Sequence, residues 1–248
     1  MNNVLICALG LCGATLIGTV IGFFIKELPH KWNDTVLGFC AGLMLAAAVV
    51  GLILPSVNTA SYWWIPLAGV AAGALFLNLL DFFMPHIHKI TGLDENEQHV
   101  NNSTINHVLL FVLAVAIHKF PEGMASGVGF NDSENISNAW SVTFGIALQN
   151  VPEGMVVVSP LLLLGVSKLR TFVISLAIGG LEMAGVLTGY FLGGISAMFL
   201  PFMLAFAGGA MLYVVSDEMI PETHAHGYQK QATYALLIGF MLFLTMEG

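Results

Sequence analysis

Long apolar runs separated by short polar stretches dominate the chain. Eight of them approach the roughly 20 mostly apolar residues that a membrane-crossing helix needs. They are Val4–Ile25, Thr35–Leu54, Trp63–Phe83, Ile105–Phe130, Ala139–Leu164, Thr171–Gly193, Pro201–Ile220 and Ala232–Thr245. The last is short at those ends and begins nearer Tyr228. The pattern predicts an all-α membrane protein of eight transmembrane helices, with residues 1–248 forming one membrane domain. Polar residues interrupt the apolar background most sharply inside the fourth and fifth runs, at His118-Lys119-Phe120-Pro121-Glu122-Gly123 and Gln149-Asn150-Val151-Pro152-Glu153-Gly154. Ionisable groups within membrane helices are rare and usually face a bundle interior or a water-filled path.

Composition agrees with the pattern. The chain is 57% hydrophobic and only 9% charged, where a soluble domain carries about 25% charged residues. The net charge of -8 says little about partners, because so few charges exist, and the lack of a basic patch excludes nucleic acid. Cys7, Cys12 and Cys40 lie in apolar runs and read as small hydrophobes. The apolar amino terminus lacks a basic leader and reads as a retained first helix.

The sparse basic residues predict orientation. Lys26 and Lys31 fall between the first two runs, Lys89 between the third and fourth, Lys168 and Arg170 between the fifth and sixth, and Lys230 between the last two. All of these loops alternate, and the intervening loops carry no base. The positive-inside rule then places these four loops in the cytoplasm and both termini outside.

Two internal echoes suggest a repeat. Pro-Glu-Gly-Met recurs from Pro121 and from Pro152. A weaker match relates Gly42…Pro55 to Gly208…Pro221, with glycine and proline 13 positions apart in both. The second and seventh runs cross in opposite senses in this topology. A 3+2+3 inverted repeat follows, with the fourth and fifth helices as the central pair.

Helical spacing places His118 with Glu122, and Gln149 with Glu153, on one face of each helix (i,i+4). Lys119 with Glu122, and Asn150 with Glu153, form neighbouring i,i+3 rows. If the two helices face one another, His118, Glu122, Gln149 and Glu153 converge, and Lys119 and Asn150 meet beside them. Pro121 and Pro152 each leave a carbonyl without its helical donor, which is expected to loosen both helices beside the polar groups. Glu182, central in the sixth run, supplies a third carboxylate. Imidazole, carboxylate and amide oxygen suit zinc and other first-row divalent ions. Met44 is either a soft additional ligand or a packing residue.

The paired motif closely resembles that of the ZIP (Zrt/Irt-like protein) divalent metal transporters, the prokaryotic and GufA-like members most of all. The resemblance covers the whole chain. It implies transport of Zn²⁺, with Fe²⁺, Mn²⁺ or Cd²⁺ as further substrates, towards the cytoplasm across a cell membrane, with no catalytic residue and no organic cofactor. It implies metal ligands at His118, Glu122, Gln149 and Glu153, with help from Met44, and a second centre drawing on positions 119 and 150 and on Glu182. A homodimer is implied too, as is a movement of helices one, four, five and six against the other four. The chain departs from the pattern in two places. Well-described two-metal members carry Asn where this chain has Lys119 and often Asp where it has Asn150. A lysine ammonium has no lone pair and cannot ligate. Glu122, Glu153 and Glu182 sum to minus three and Lys119 adds plus one, leaving minus two, which one divalent ion neutralises. One metal per chain is therefore expected, with the ammonium standing in for the second.

Three outlying groups are candidate relay points or ordinary polar ends. His86 and His88 belong to an acidic, histidine-bearing loop over Pro85–Thr104. Asp132 and Glu134 lie in a base-free outer loop that could gather cations. Asp217, Glu218, Glu222, His224 and His226 cluster near the cytoplasmic end of the seventh run and suggest a release site. An intramembrane zinc hydrolase is the alternative reading, although the chain has no His-Glu-x-x-His. A metal sensor would need an output domain that the pattern does not show.

Overall fold

In the computed structural model, the described residues are 1–25, 29–83, 115–116, 118–132, 136–196 and 198–247. Among them the regular structure is helical. In chain order the helices are α1 (Asn2–Gly22), α2 (His30–Thr59), α3 (Trp64–Phe83), α4 (described over 118–129), α5 (Ile136–Leu163), α6 (Lys168–Gly193), α7 (Leu200–Thr223) and α8 (Gln229–Glu247). By length and composition α1, α2, α5, α6 and α7 are each able to cross a membrane. The chain is thus a multi-pass membrane protein.

Several helices run past the expected apolar ends. Hydropathy marks only the part that avoids water, whereas backbone hydrogen bonding continues until a local signal stops it. Ser167 starts α6 early by accepting from the Arg170 N–H at 3.4 Å, as an N-cap does. Gly165, at φ 77, turns the chain away from the end of α5.

Two helices change winding part-way. In α2 the residues Ala47–Ile53 are π-helical before the chain resumes an α-turn at Leu54 and Pro55. In α7 Val215–Met219 do the same before Ile220 and Pro221. Both π-segments precede the prolines of the weaker sequence echo, which gives that echo a structural counterpart. Proline has no N–H for the carbonyl one turn back. In α2 that carbonyl, Gly51 O, accepts from Asn138 Nδ2 of α5 at 2.9 Å. The expected loosening at Pro152 is not seen as a break: α5 is one continuous helix from Ile136 to Leu163.

Close backbone contacts divide the helices into two sets. A Cβ on Gly18 of α1 would fall 2.0 Å from the Val151 carbonyl oxygen of α5, and one on Gly154 of α5 2.3 Å from that of Thr15. Only glycine permits this approach. Reciprocal glycines join α4 to α6 (Gly123, Gly185), α2 to α8 (Gly42, Gly239) and α3 to α7 (Gly73, Gly209) in the same way. Gly179 of α6 packs on Cys12 of α1. One set is therefore α1, α4, α5 and α6; the other is α2, α3, α7 and α8. Between the sets glycines meet side chains instead: Gly51 faces a Val142 methyl, and Gly145 faces the Phe243 ring.

Candidate metal centre

The polar residues of α4 and α5 meet inside the first set. Lys119 is fully buried. Its ammonium donates to Glu122 Oε2 at 2.6 Å, to Asn150 Oδ1 at 2.5 Å, and to Glu153 Oε2. An ammonium has three N–H groups, and three acceptors use all of them. Asn150 passes the network on, donating to Glu182 Oε1 on α6 at 2.7 Å and to the Leu11 carbonyl of α1 at 3.3 Å. Thr15 of α1 donates to the other Glu182 oxygen at 3.5 Å. Four helices thus share one buried hydrogen-bonded cluster. The i,i+3 spacing of Lys119 and Glu122 supplies its local half, and the α1–α5 and α4–α6 glycine contacts bring in the rest.

Gln149 stands differently. It is fully buried, yet neither its amide oxygen nor its amide nitrogen has a hydrogen-bond partner among the described residues. Its backbone carbonyl accepts weakly from the Cys40 thiol of α2 at 3.9 Å. Met44 lies one turn further along α2 and is 1% exposed. Gln149 therefore sits where the two helix sets adjoin. His118 occupies the same boundary from α4: its Nε2 donates to Glu218 Oε1 of α7 at 2.9 Å. His118 is turned to this carboxylate instead of hydrogen bonding to Glu122 or Gln149. Among the described residues, no three His, Cys, Asp or Glu side chains are already gathered as a metal-ligand set.

The outlying candidates separate. His224 Nδ1 donates to the Ile220 carbonyl of its own helix at 2.8 Å. His226 turns instead to Asp34 of α2, 3.0 Å away. Asp217 and Glu222 are exposed. Asp132 is half-buried at the end of the chain segment after α4, whereas Glu134, His86 and His88 lie outside the described residues. Sequence reasoning missed Thr15, Cys40 and Asp34. A threonine in an apolar helix commonly bonds its own backbone, as Thr15 also does to Leu11, so nothing in the pattern marks it as a partner of Glu182.

A multi-pass helical membrane protein with an ionic cluster shared by four helices fits the class that handles ions within the bilayer. Comparison with known proteins makes this specific. The "ZIP Zinc transporter" family model matches residues 91–247. The chain is 36% identical over 242 residues to the zinc transporter ZIPB of Bordetella bronchiseptica, covering 94% of this chain and 77% of the relative. It is 37% identical over 252 residues to the zinc transporter GufA of Myxococcus xanthus, covering 96% and 97%. Identity to a zinc transporter ZupT from Clostridium perfringens is 28% over 274 residues. The chain belongs to the ZIP zinc transporter family. This is a family of transporters, and the hydrolase reading is set aside.

Proposed function

We propose that the chain imports Zn²⁺ into the cytoplasm through a single-metal site between α4 and α5, with Fe²⁺, Mn²⁺ and Cd²⁺ as competing substrates. The observation that carries this reading is the pairing of a saturated cluster with an unsatisfied one. Lys119 takes Oε2 of both Glu122 and Glu153, which leaves Oε1 of each for a cation. Beside them lies a fully buried Gln149 amide with no hydrogen-bond partner among the described residues. Buried polar groups are nearly always satisfied, and an ion is one of the few explanations for an exception. His118, Glu122, Gln149 and Glu153 supply imidazole, carboxylates and an amide oxygen, with the Met44 thioether behind them. These ligands exchange readily, as a site that must release its ion requires. Lys119, Asn150 and Glu182 occupy the second centre and balance charge without binding metal.

The same reading gives the frame. Eight helices cross the bilayer of the cell (plasma or inner) membrane in a 3+2+3 inverted repeat with both termini extracytoplasmic, and two chains pair as a homodimer. The matching π-segments of α2 and α7 support the repeat. Set α1, α4, α5 and α6 carries the site and shifts against α2, α3, α7 and α8. The backbone-to-backbone contacts within each set, against side-chain contacts between them, support that division. His118 bonded to Glu218 supports release along the end of α7. Asp132 and Glu134 would gather ions at the outer mouth, and His86 and His88 would receive them inside.

The test is Zn²⁺ flux into proteoliposomes, wild type against Glu153→Ala, with Mn²⁺, Fe²⁺ and Cd²⁺ as competitors. Saturable flux abolished by the substitution is expected. Undiminished flux in Glu153→Ala would show that the ion passes elsewhere.

A further inference from the structure

The first turn of α2 carries a second group of ligand-type side chains, away from the midplane. Asp34 is fully buried, a costly place for a carboxylate unless its oxygens are bonded. Oδ1 accepts from His226 Nδ1 at 3.0 Å, but Oδ2 has no partner among the described residues. His30 lies one helical turn before Asp34, on the same face. Its ring stacks on that of His226, with centroids 4.4 Å apart and planes 22° from parallel.

The fold enforces this meeting of distant residues. Gly38 of α2 packs so closely on α8 that a Cβ there would lie 2.5 Å from the Ala232 carbonyl oxygen. The turn preceding α8 is thereby held over the start of α2. Gly227, at φ 89, takes a left-handed conformation that other residues rarely adopt, directly after His226. The imidazole is folded back onto Asp34.

We infer that His30, Asp34 and His226 form a second binding site for a first-row divalent cation, at the start of α2. Two imidazoles and a carboxylate are an ordinary ligand set for such ions. On binding, the cation takes the Nδ1 lone pair of His226 in place of the bond to Asp34, and the ring proton sits on Nε2, so the imidazole stays neutral. The three side chains are not yet arranged as a ligand set, because the His30 ring lies stacked on that of His226; His30 is exposed, so its ring can turn to present a nitrogen. The bound charge also answers the unpartnered Asp34 oxygen. The inference rests on the transporter reading for the source of the ion: His226 follows Glu218, the partner of His118, by eight residues.

The test is equilibrium dialysis of the full-length protein in lipid nanodiscs against Co²⁺, with the visible Co²⁺ absorption as a second readout. The proteins are wild type, Glu153→Ala, His30→Ala, and His30→Ala/His226→Ala. The double histidine variant should bind one Co²⁺ fewer per chain than wild type and lose the matching absorption. His30→Ala, which leaves the Asp34–His226 bond intact, should weaken that ion's affinity at least about tenfold. Equal Co²⁺ binding by the double variant and wild type overturns the inference. Glu153→Ala should retain the histidine-dependent ion and lose another. If it loses none while the histidine variants still lose one, the midplane reading fails and the present site stands.

Discussion

Lys119→Met is the most direct test of the cluster's charge balance. The substitution keeps an unbranched chain of similar length but deletes the ammonium. Glu122, Asn150 and Glu153 then lose the donor they share, and Glu122 is only 3% exposed. Removing one partner of a buried ion pair costs about 3–5 kcal/mol, because the remaining charge is stranded. At about 2–4 °C per kcal/mol for a chain of this size, the apparent melting temperature should fall by roughly 6–20 °C. The assay is intrinsic-fluorescence melting in detergent with a chelator present. Lys119→Asn completes the argument. It restores a neutral ligand at the position, so a second Zn²⁺ should bind. At a hundredfold excess over its Kd, that ion would return about 2.7 kcal/mol. Lys119→Asn should therefore recover stability on adding zinc, and Lys119→Met should recover much less. Two results would refute the reasoning: a metal-free Lys119→Met that melts within about 2 °C of wild type, or two Zn²⁺ retained per washed chain of the His30→Ala/His226→Ala protein, in which the Lys119 cluster is intact.

Other outcomes follow from the same geometry. Gln149→Ala removes an amide that bonds nothing among the described residues, so metal-free stability should change by less than about 1 kcal/mol while the KM for Zn²⁺ flux rises; a large metal-free loss would show a hidden partner. Glu218→Ala removes the partner of His118 and should lower the maximal rate of Zn²⁺ uptake more than the affinity, measured by initial flux across a range of concentrations. Gly18→Ala forces a methyl into the Val151 carbonyl and should cost about 1–3 kcal/mol by overpacking. Gly10→Ala meets nothing within 4 Å and should be neutral or slightly stabilising in the same melting assay.

Much of the centre was legible along the chain. A charge inside an apolar run has few innocent explanations, and helix periodicity fixes which residues three and four apart share a face. Those two facts are enough to put Lys119 in one row with Glu122 and Asn150 in one row with Glu153, and the charge sum points to the ammonium. Pro55 and Pro221 were visible as an echo, but not as the ends of π-segments. A missing N–H can be absorbed by kinking, by rewinding or by an outside donor, and only the neighbouring helix decides which. The partners of His118 and His226 were out of reach for a related reason. Glu218 lies far along the chain from His118, and Asp34 is 192 residues from His226. Local periodicity carries no information across such a separation. Those pairings depend on which glycine rows dock, because glycines alone set how closely two backbones approach and hence which side chains end up opposite. The sequence determined the helices, the buried charges and their local rows. The tertiary structure decided that α1 completes the cluster, that His118 turns to α7, and that His226 closes over α2.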